Sequence, residues 1–196
     1  MRVLRSTGVP LFLAVEGILY LLFLWWDFQI GGGGDNPIKY ASILLCALFS
    51  LLWALLGGGD RLTALALVLT GAADAFLLEW DAHYICGLLL FCGVQLCYFL
   101  RLYPACRRSF WKARLGLLCL ALTALISLKL LNPLNGLALV YFTNFLCNVR
   151  MSLACPDKQF RLFAVGLCLY LCCDLCVALY QFPQVVPEAV FAFARM

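Results

Sequence analysis

A chain of 196 residues that is 65% hydrophobic and only 12% charged, with a mean hydropathy of +0.99, has more apolar surface than a water-soluble domain of its size can bury. Its net charge of +4 is small and sits in the turns between apolar runs, which speaks against nucleic-acid binding. The remaining class is a helical membrane protein.

Seven segments have the roughly 20 apolar residues that a bilayer crossing needs: about 9–30, 38–56, 61–79, 82–103, 112–131, 134–153 and 159–180. The first follows "MRVLR" and runs to Ile30 with no A-x-A-like cleavage site, so it reads as an uncleaved span and not a removed signal. Between spans stand turn sequences: "GGGGDNP" after the first, "GGGD" after the second, "NPLNG" between the fifth and sixth, and "CPDKQ" between the sixth and seventh. The glycines at 31–34 follow a helix and do not open one after a strand, so they form no phosphate loop. An eighth apolar segment, 185–196, is too short at about 12 residues to cross a bilayer, so either the last helix is partial or the chain is cut short. Trp25, Trp26, Trp80 and Trp111 lie near span ends as interfacial anchors. The expected fold is an all-α polytopic bundle in one membrane domain, 1–196, with seven full spans and a partial eighth.

Basic residues set the orientation. Arg2, Arg5, Arg61, the cluster Arg101, Arg107, Arg108, Lys112 and Arg114, then Arg150, Lys158 and Arg161 fall on one side, and only Lys39 and Lys129 near the other. The positive-inside rule puts the N terminus in the cytoplasm, and the expected location is the plasma membrane. None of the twelve cysteines lies in an outer loop, which argues against a disulfide framework. Cys168, Cys172 and Cys176 share a helix face in "CLYLCCDLC"; packing by small side chains explains them better than a soft-metal cluster. His83, the only histidine, falls in a short outer loop, so neither a metal nor another cofactor is expected.

Charges inside the spans need a partner, a cavity or a proton, because an ionised Asp at a helix centre costs about 2.5–3.5 kcal/mol. Asp74 lies about 20 Å along span 3 from Arg61, and Asp174 about 20 Å along span 7 from Arg161. Both spans run outward, so the carboxyls share one depth in the outer half of the membrane. Sliding the chain by one hundred residues pairs Arg61 with Arg161, Leu62 with Leu162, Ala64 with Ala164 and Asp74 with Asp174. That offset of four spans is the pattern of a 4+4 parallel repeat, in which the aspartates would be symmetry mates at a shared cavity. Asp81 and Gln181, each seven residues on, would share their faces and sit at the cavity mouth. The plainer reading makes the aspartates register-fixing groups bonded to Thr70, Asn144 or Tyr170. Glu16 in span 1 reads equally as a structural hydrogen-bonder or a site residue. Asp27 and Lys39 near the outer surface fit an interfacial ion pair better than a headgroup site.

"ADAFLLEWDAHYICGLLLFCGVQLCYFL" resembles the signature of the lysoplasmalogenase-like (YhhN) membrane proteins, in which an Asp in an apolar helix is followed by a second Asp seven residues later and a Gly-containing helix. "LCLYLCCDLCVALYQF" is similar to their second signature, and "IKYASILL" to their Lys-Pro-Leu helix start, so the likeness covers most of 38–182. This sequence departs at Ala73, Cys173, Tyr40, Gln95 and Tyr180-Gln181, and lacks the family's last helix before Met196. Both aspartates, Asp81, Lys39 and Tyr98 are retained, which marks a divergent branch.

The resemblance implies hydrolysis of the vinyl ether bond of a lysoplasmalogen, releasing a fatty aldehyde and a glycerophospho-headgroup, with no cofactor. Enol ethers break by protonation of the β-carbon to an oxocarbenium ion, which water then traps. One carboxyl must be neutral to give the proton, and another charged to steady the cation, as in glycosidases. Asp74 and Asp174 are the expected acid/base pair, with Lys39, Asp81, Tyr98, Asn144 and Gln181 contacting a lysophospholipid among the membrane lipids. The alternative is a small carrier or lipid-binding protein whose aspartates bind a proton or a cationic group.

Overall fold

The computed structural model describes residues 8–30, 36–80, 83–106, 110–157 and 159–180, and these form seven α-helices with no strand among the described residues. They are α1 (Val9–Ile30), α2 (Asn36–Leu55), α3 (Arg61–Asp74), α4 (Tyr84–Cys106), α5 (Trp111–Ser127), α6 (Pro133–Leu153) and α7 (Gln159–Tyr180). Each falls on one of the seven expected segments. The short eighth segment lies outside the described residues, as do the glycines at 31–34.

Two turn sequences act as helix starts. Asp60 at the end of "GGGD" accepts from the Thr63 backbone N–H at 2.8 Å and caps α3. Its carboxylate also takes Arg101 Nε at 3.2 Å, tying the start of α3 to the end of α4. In "NPLNG", Asn132 accepts from the Asn135 N–H at 2.7 Å and Pro133 opens α6, where a missing N–H costs nothing.

Two boundaries differ from expectation. α5 stops at Ser127, short of Leu131, because Leu128 ends the helix and Lys129 takes a left-handed φ of 57°. α3 does not run on as an α-helix to Glu79. It widens after Asp74 into a π-helical turn over Ala75–Glu79. Such turns are frequent at functional sites.

The helices pack in a chain of neighbours: α1 on α2, α2 on α3, α3 on α4, α4 on α6, and α6 on both α5 and α7. Small side chains make the approaches close. Ala64, Ala66, Gly71 and Ala73 are the buried residues of α3, and Ala66 packs with Val94, Tyr98 and Leu102 of α4 and Tyr141 and Phe145 of α6 in the core. A Cβ on Gly87 of α4 would stand 3.2 Å from the Ala73 carbonyl and 3.0 Å from Leu77 Cγ. Gly87→Ala should therefore push α4 off α3 beside Asp74 and cost about 1–3 kcal/mol. Gly136→Ala, with nothing within 4 Å, should stay within about 0.5 kcal/mol of wild type. Unfolding midpoints of the two variants in detergent make the comparison.

The outside of the bundle is apolar: Leu11, Leu55, Leu120 and Leu162 are 63%, 74%, 69% and 81% exposed. Among the described residues three helices, over Val9–Trp26, Pro37–Leu55 and Tyr84–Cys106, are individually long and apolar enough to cross a bilayer. The chain is an all-α membrane protein.

Candidate active site

The aspartates stand on the outer members of the series α3–α4–α6–α7. Asp74 is the last residue of α3, at the point where the helix widens, and Asp174 lies in α7. α3 and α7 have no close backbone approach among the described residues, yet the two carboxyls lie within electrostatic reach of one another. Both are half-buried.

α6 supplies the partner. The Tyr141 hydroxyl donates to Asp174 Oδ2, and Tyr141 is only 3% exposed. Tyr170, one turn before Asp174 on α7, lies beside Tyr141 with its hydroxyl buried against that of Tyr141. Tyr98 of α4 is also buried, edge-on to Phe163 with centroids 5.4 Å apart, and it feels the charge of Asp174. The cluster is thus two carboxyls and three phenols on four helices.

Asp174 has a hydroxyl donor, whereas Asp74 has no hydrogen-bond partner among the described residues. Donation to a carboxylate favours its charged form, so the arrangement makes the two acids unequal. Of the register-fixing partners expected from sequence, Thr70 donates instead to the Ala66 carbonyl at 3.0 Å, and Asn144 bonds elsewhere. Tyr141 takes that place, from α6, the same helix that carries Asn144.

Lys39 opens onto the same end of the bundle. It is exposed near the start of α2, with Nζ 4.9 Å from the Phe23 ring centroid, and its charge reaches Cys173, next to Asp174. Asp81 and Gln181 lie outside the described residues. Between Asp74 and Asp81 the backbone passes through the π turn over Ala75–Glu79.

Asn144 belongs to a second polar group. Its Oδ1 accepts from Arg114 Nη1 at 2.5 Å, while Arg114 Nη2 donates to Asn148 Oδ1 at 2.7 Å. Asn148 in turn donates to the Gln95 carbonyl at 2.8 Å and to Gln95 Oε1 at 3.0 Å. Arg114 was counted with the cytoplasmic cations; instead it is 6% exposed and stacks 4.6 Å from the Phe99 ring centroid. A cation one turn inside a span end reads as loop charge from sequence alone. The spacing of Tyr141, Asn144 and Asn148 is a polar stripe at i, i+3 and i+7 in an apolar span, and it is the signal that could have exposed both groups.

Glu16 is a hydrogen-bonder between helices: Ser42 Oγ and Cys46 Sγ of α2 donate to its two oxygens at 2.5 and 3.1 Å. His83 is exposed at a φ of 56°. All twelve cysteines are free thiols, and no group of His, Cys, Asp or Glu with metal-binding spacing occurs among the described residues.

No curated protein and no solved structure matches the chain. The YhhN family model matches residues 36–194, a stretch that begins with α2, contains the whole carboxyl and phenol cluster, and runs past the 38–182 covered by the motifs. The chain belongs to the YhhN family.

Proposed function

We propose that the protein is a lysoplasmalogenase-type hydrolase of the plasma membrane, with all seven helices crossing the bilayer, the N terminus in the cytoplasm, and Asp74 and Asp174 acting on the vinyl ether of a lysolipid. The observation that carries this reading is Tyr141 donating to only one of two half-buried carboxyls that lie within electrostatic reach of each other. Asp74, without a donor, gives its proton to the β-carbon of the enol ether, and the C=C electron pair forms the new C–H bond. The resulting oxocarbenium ion faces the Asp174 carboxylate. Water adds to the cationic carbon and loses a proton to Asp174, giving a hemiacetal. In its collapse the hemiacetal hydroxyl gives its proton to Asp74 as the C–O bond to glycerol breaks, and Asp174 protonates the departing glycerol oxygen, which yields a fatty aldehyde and a glycerophospho-headgroup and restores both acids. Tyr170 and Tyr98 line the reacting end, and Lys39 takes the headgroup phosphate, with Asp81 and Gln181 at the mouth.

Aldehyde release from a lysoplasmalogen by purified wild-type protein tests the proposal, and a protein that binds the lysolipid without releasing aldehyde would refute it. A carrier is the second reading, favoured by the same carboxyl pair because no cation is bonded to either member among the described residues.

Tyr141 is a positioning residue here. Tyr141→Phe removes one charge-assisted hydrogen bond worth about 1.5–3 kcal/mol and should lower kcat by about 10- to 100-fold with KM little changed. Equal losses in Tyr141→Phe and in the double variant with Asp174→Asn would show that the hydroxyl acts through that carboxylate; additive losses would not.

A further inference from the structure

Away from the carboxyl cluster, a groove of about 410 Å³ runs between α5 and α6, lined by Ala113, Gly116, Leu117, Leu120, Leu146 and Arg150. Its volume is that of a small-ligand site. Gly116 opens it, since nothing lies within 4 Å of where a Cβ would stand. The walls are ordered by chemistry. Gly116 and Leu120 stand four residues apart on α5, with Lys112 one further step back on the same helix face just outside the lining, and Leu146 and Arg150 stand four apart on α6, which runs back alongside it. Both cations therefore stand at one end, and the rest of the groove is apolar and opens beside Leu120, 69% exposed to the membrane.

The Arg150 guanidinium is held over the Phe110 ring at 5.3 Å, and neither Arg150 nor Lys112 has a carboxylate partner among the described residues. A ring beneath a guanidinium leaves its edge N–H groups free for an anion. A cation pair at the membrane surface above an apolar slot is complementary to a molecule with a phosphate at one end and hydrocarbon at the other. We propose that this groove binds an anionic membrane phospholipid, with its phosphate on Arg150 and Lys112 and one acyl chain along Gly116, Leu120 and Leu146. The site lies on a different helix pair from the aspartates and is independent of the proposed hydrolysis.

Thermal unfolding of the full-length protein in mixed micelles, titrated with phosphatidylglycerol or with phosphatidylcholine, tests the site. Phosphatidylglycerol should raise the midpoint saturably and phosphatidylcholine should do so much less, while inorganic phosphate should have no effect. Arg150→Gln, at an exposed position, should weaken the apparent phosphatidylglycerol affinity by about fivefold, the effect of one surface cation, with Arg150→Lys close to wild type. Gly116→Leu should fill the groove and abolish the response to phosphatidylglycerol. Equal stabilisation by the two lipids, or wild-type responses in both Arg150→Gln and Gly116→Leu, would overturn the proposal. So would a concentration-dependent dimer that Gly116→Leu dissociates, because it would assign the groove to a second copy of the chain.

Discussion

Asp74→Asn and Asp174→Asn should each lower aldehyde release by about 10²–10⁴-fold, or about 3–5 kcal/mol of transition-state stabilisation, at unchanged expression and thermal stability. An amide keeps the size of the carboxyl but cannot give up a proton to carbon, so Asp74→Asn removes the acid outright. At 174 the amide can still accept from Tyr141, which leaves the fold intact while removing the negative charge that steadies the cation. A purely structural aspartate would behave otherwise, since Asn is easier to bury and retains most hydrogen bonds. Measured on purified wild type and variants across pH 5–8, activity within tenfold of wild type in either variant would sink the role given to that aspartate.

The second large effect is on stability. Asn148→Leu should destabilise the bundle by about 3 kcal/mol or more, because three hydrogen bonds vanish together and one of them is to a charge. The Arg114 guanidinium would keep only Asn144 among its two amide acceptors, inside a region where Phe99 and Trp111 leave little room for water. Asn148→Asp tests the cause, since a carboxylate there could still receive Arg114 while losing the donation to Gln95. A midpoint for Asn148→Leu within about 1 °C of wild type would mean that the network adds nothing to folding.

Fold class and helix placement were legible in the sequence because both rest on local properties: runs of apolar residues and the turn chemistry of "GGGD" and "NPLNG". Asp74 and Asp174 were legible for a related reason, since a carboxyl in an apolar run is conspicuous wherever it ends up. Their hydroxyl partner was not. Phenols are common in membrane helices, and nothing near Tyr141 in sequence announces that its oxygen meets a residue 33 positions away. Arg114 failed for the opposite reason, because a single cation near a helix end has two destinations, water or the bundle, and only Asn144 and Asn148 on another helix decide between them. The π turn was also hidden, since "AFLLE" has the composition of any apolar helix.

α1 stands apart in a way that separates assembly from chemistry. None of Val9–Trp26 is buried, among the described helices it packs on α2 alone, and the family match begins where α2 does. Among the described residues three contacts lie along that seam: Phe12 stacked on Phe49 at 4.3 Å, Glu16 clasped by Ser42 and Cys46, and Phe23 under Lys39. Such a helix is an annex, able to part from the bundle as a unit while α2–α7 keep their arrangement. The third fastening is the one with reach, because Phe23 sits beneath the lysine that faces Cys173. Detachment of α1 would take the Phe23 ring from Lys39 and leave the helices that carry both aspartates in place, so the annex touches the lysine side of the carboxyl cluster and not the carboxyls themselves.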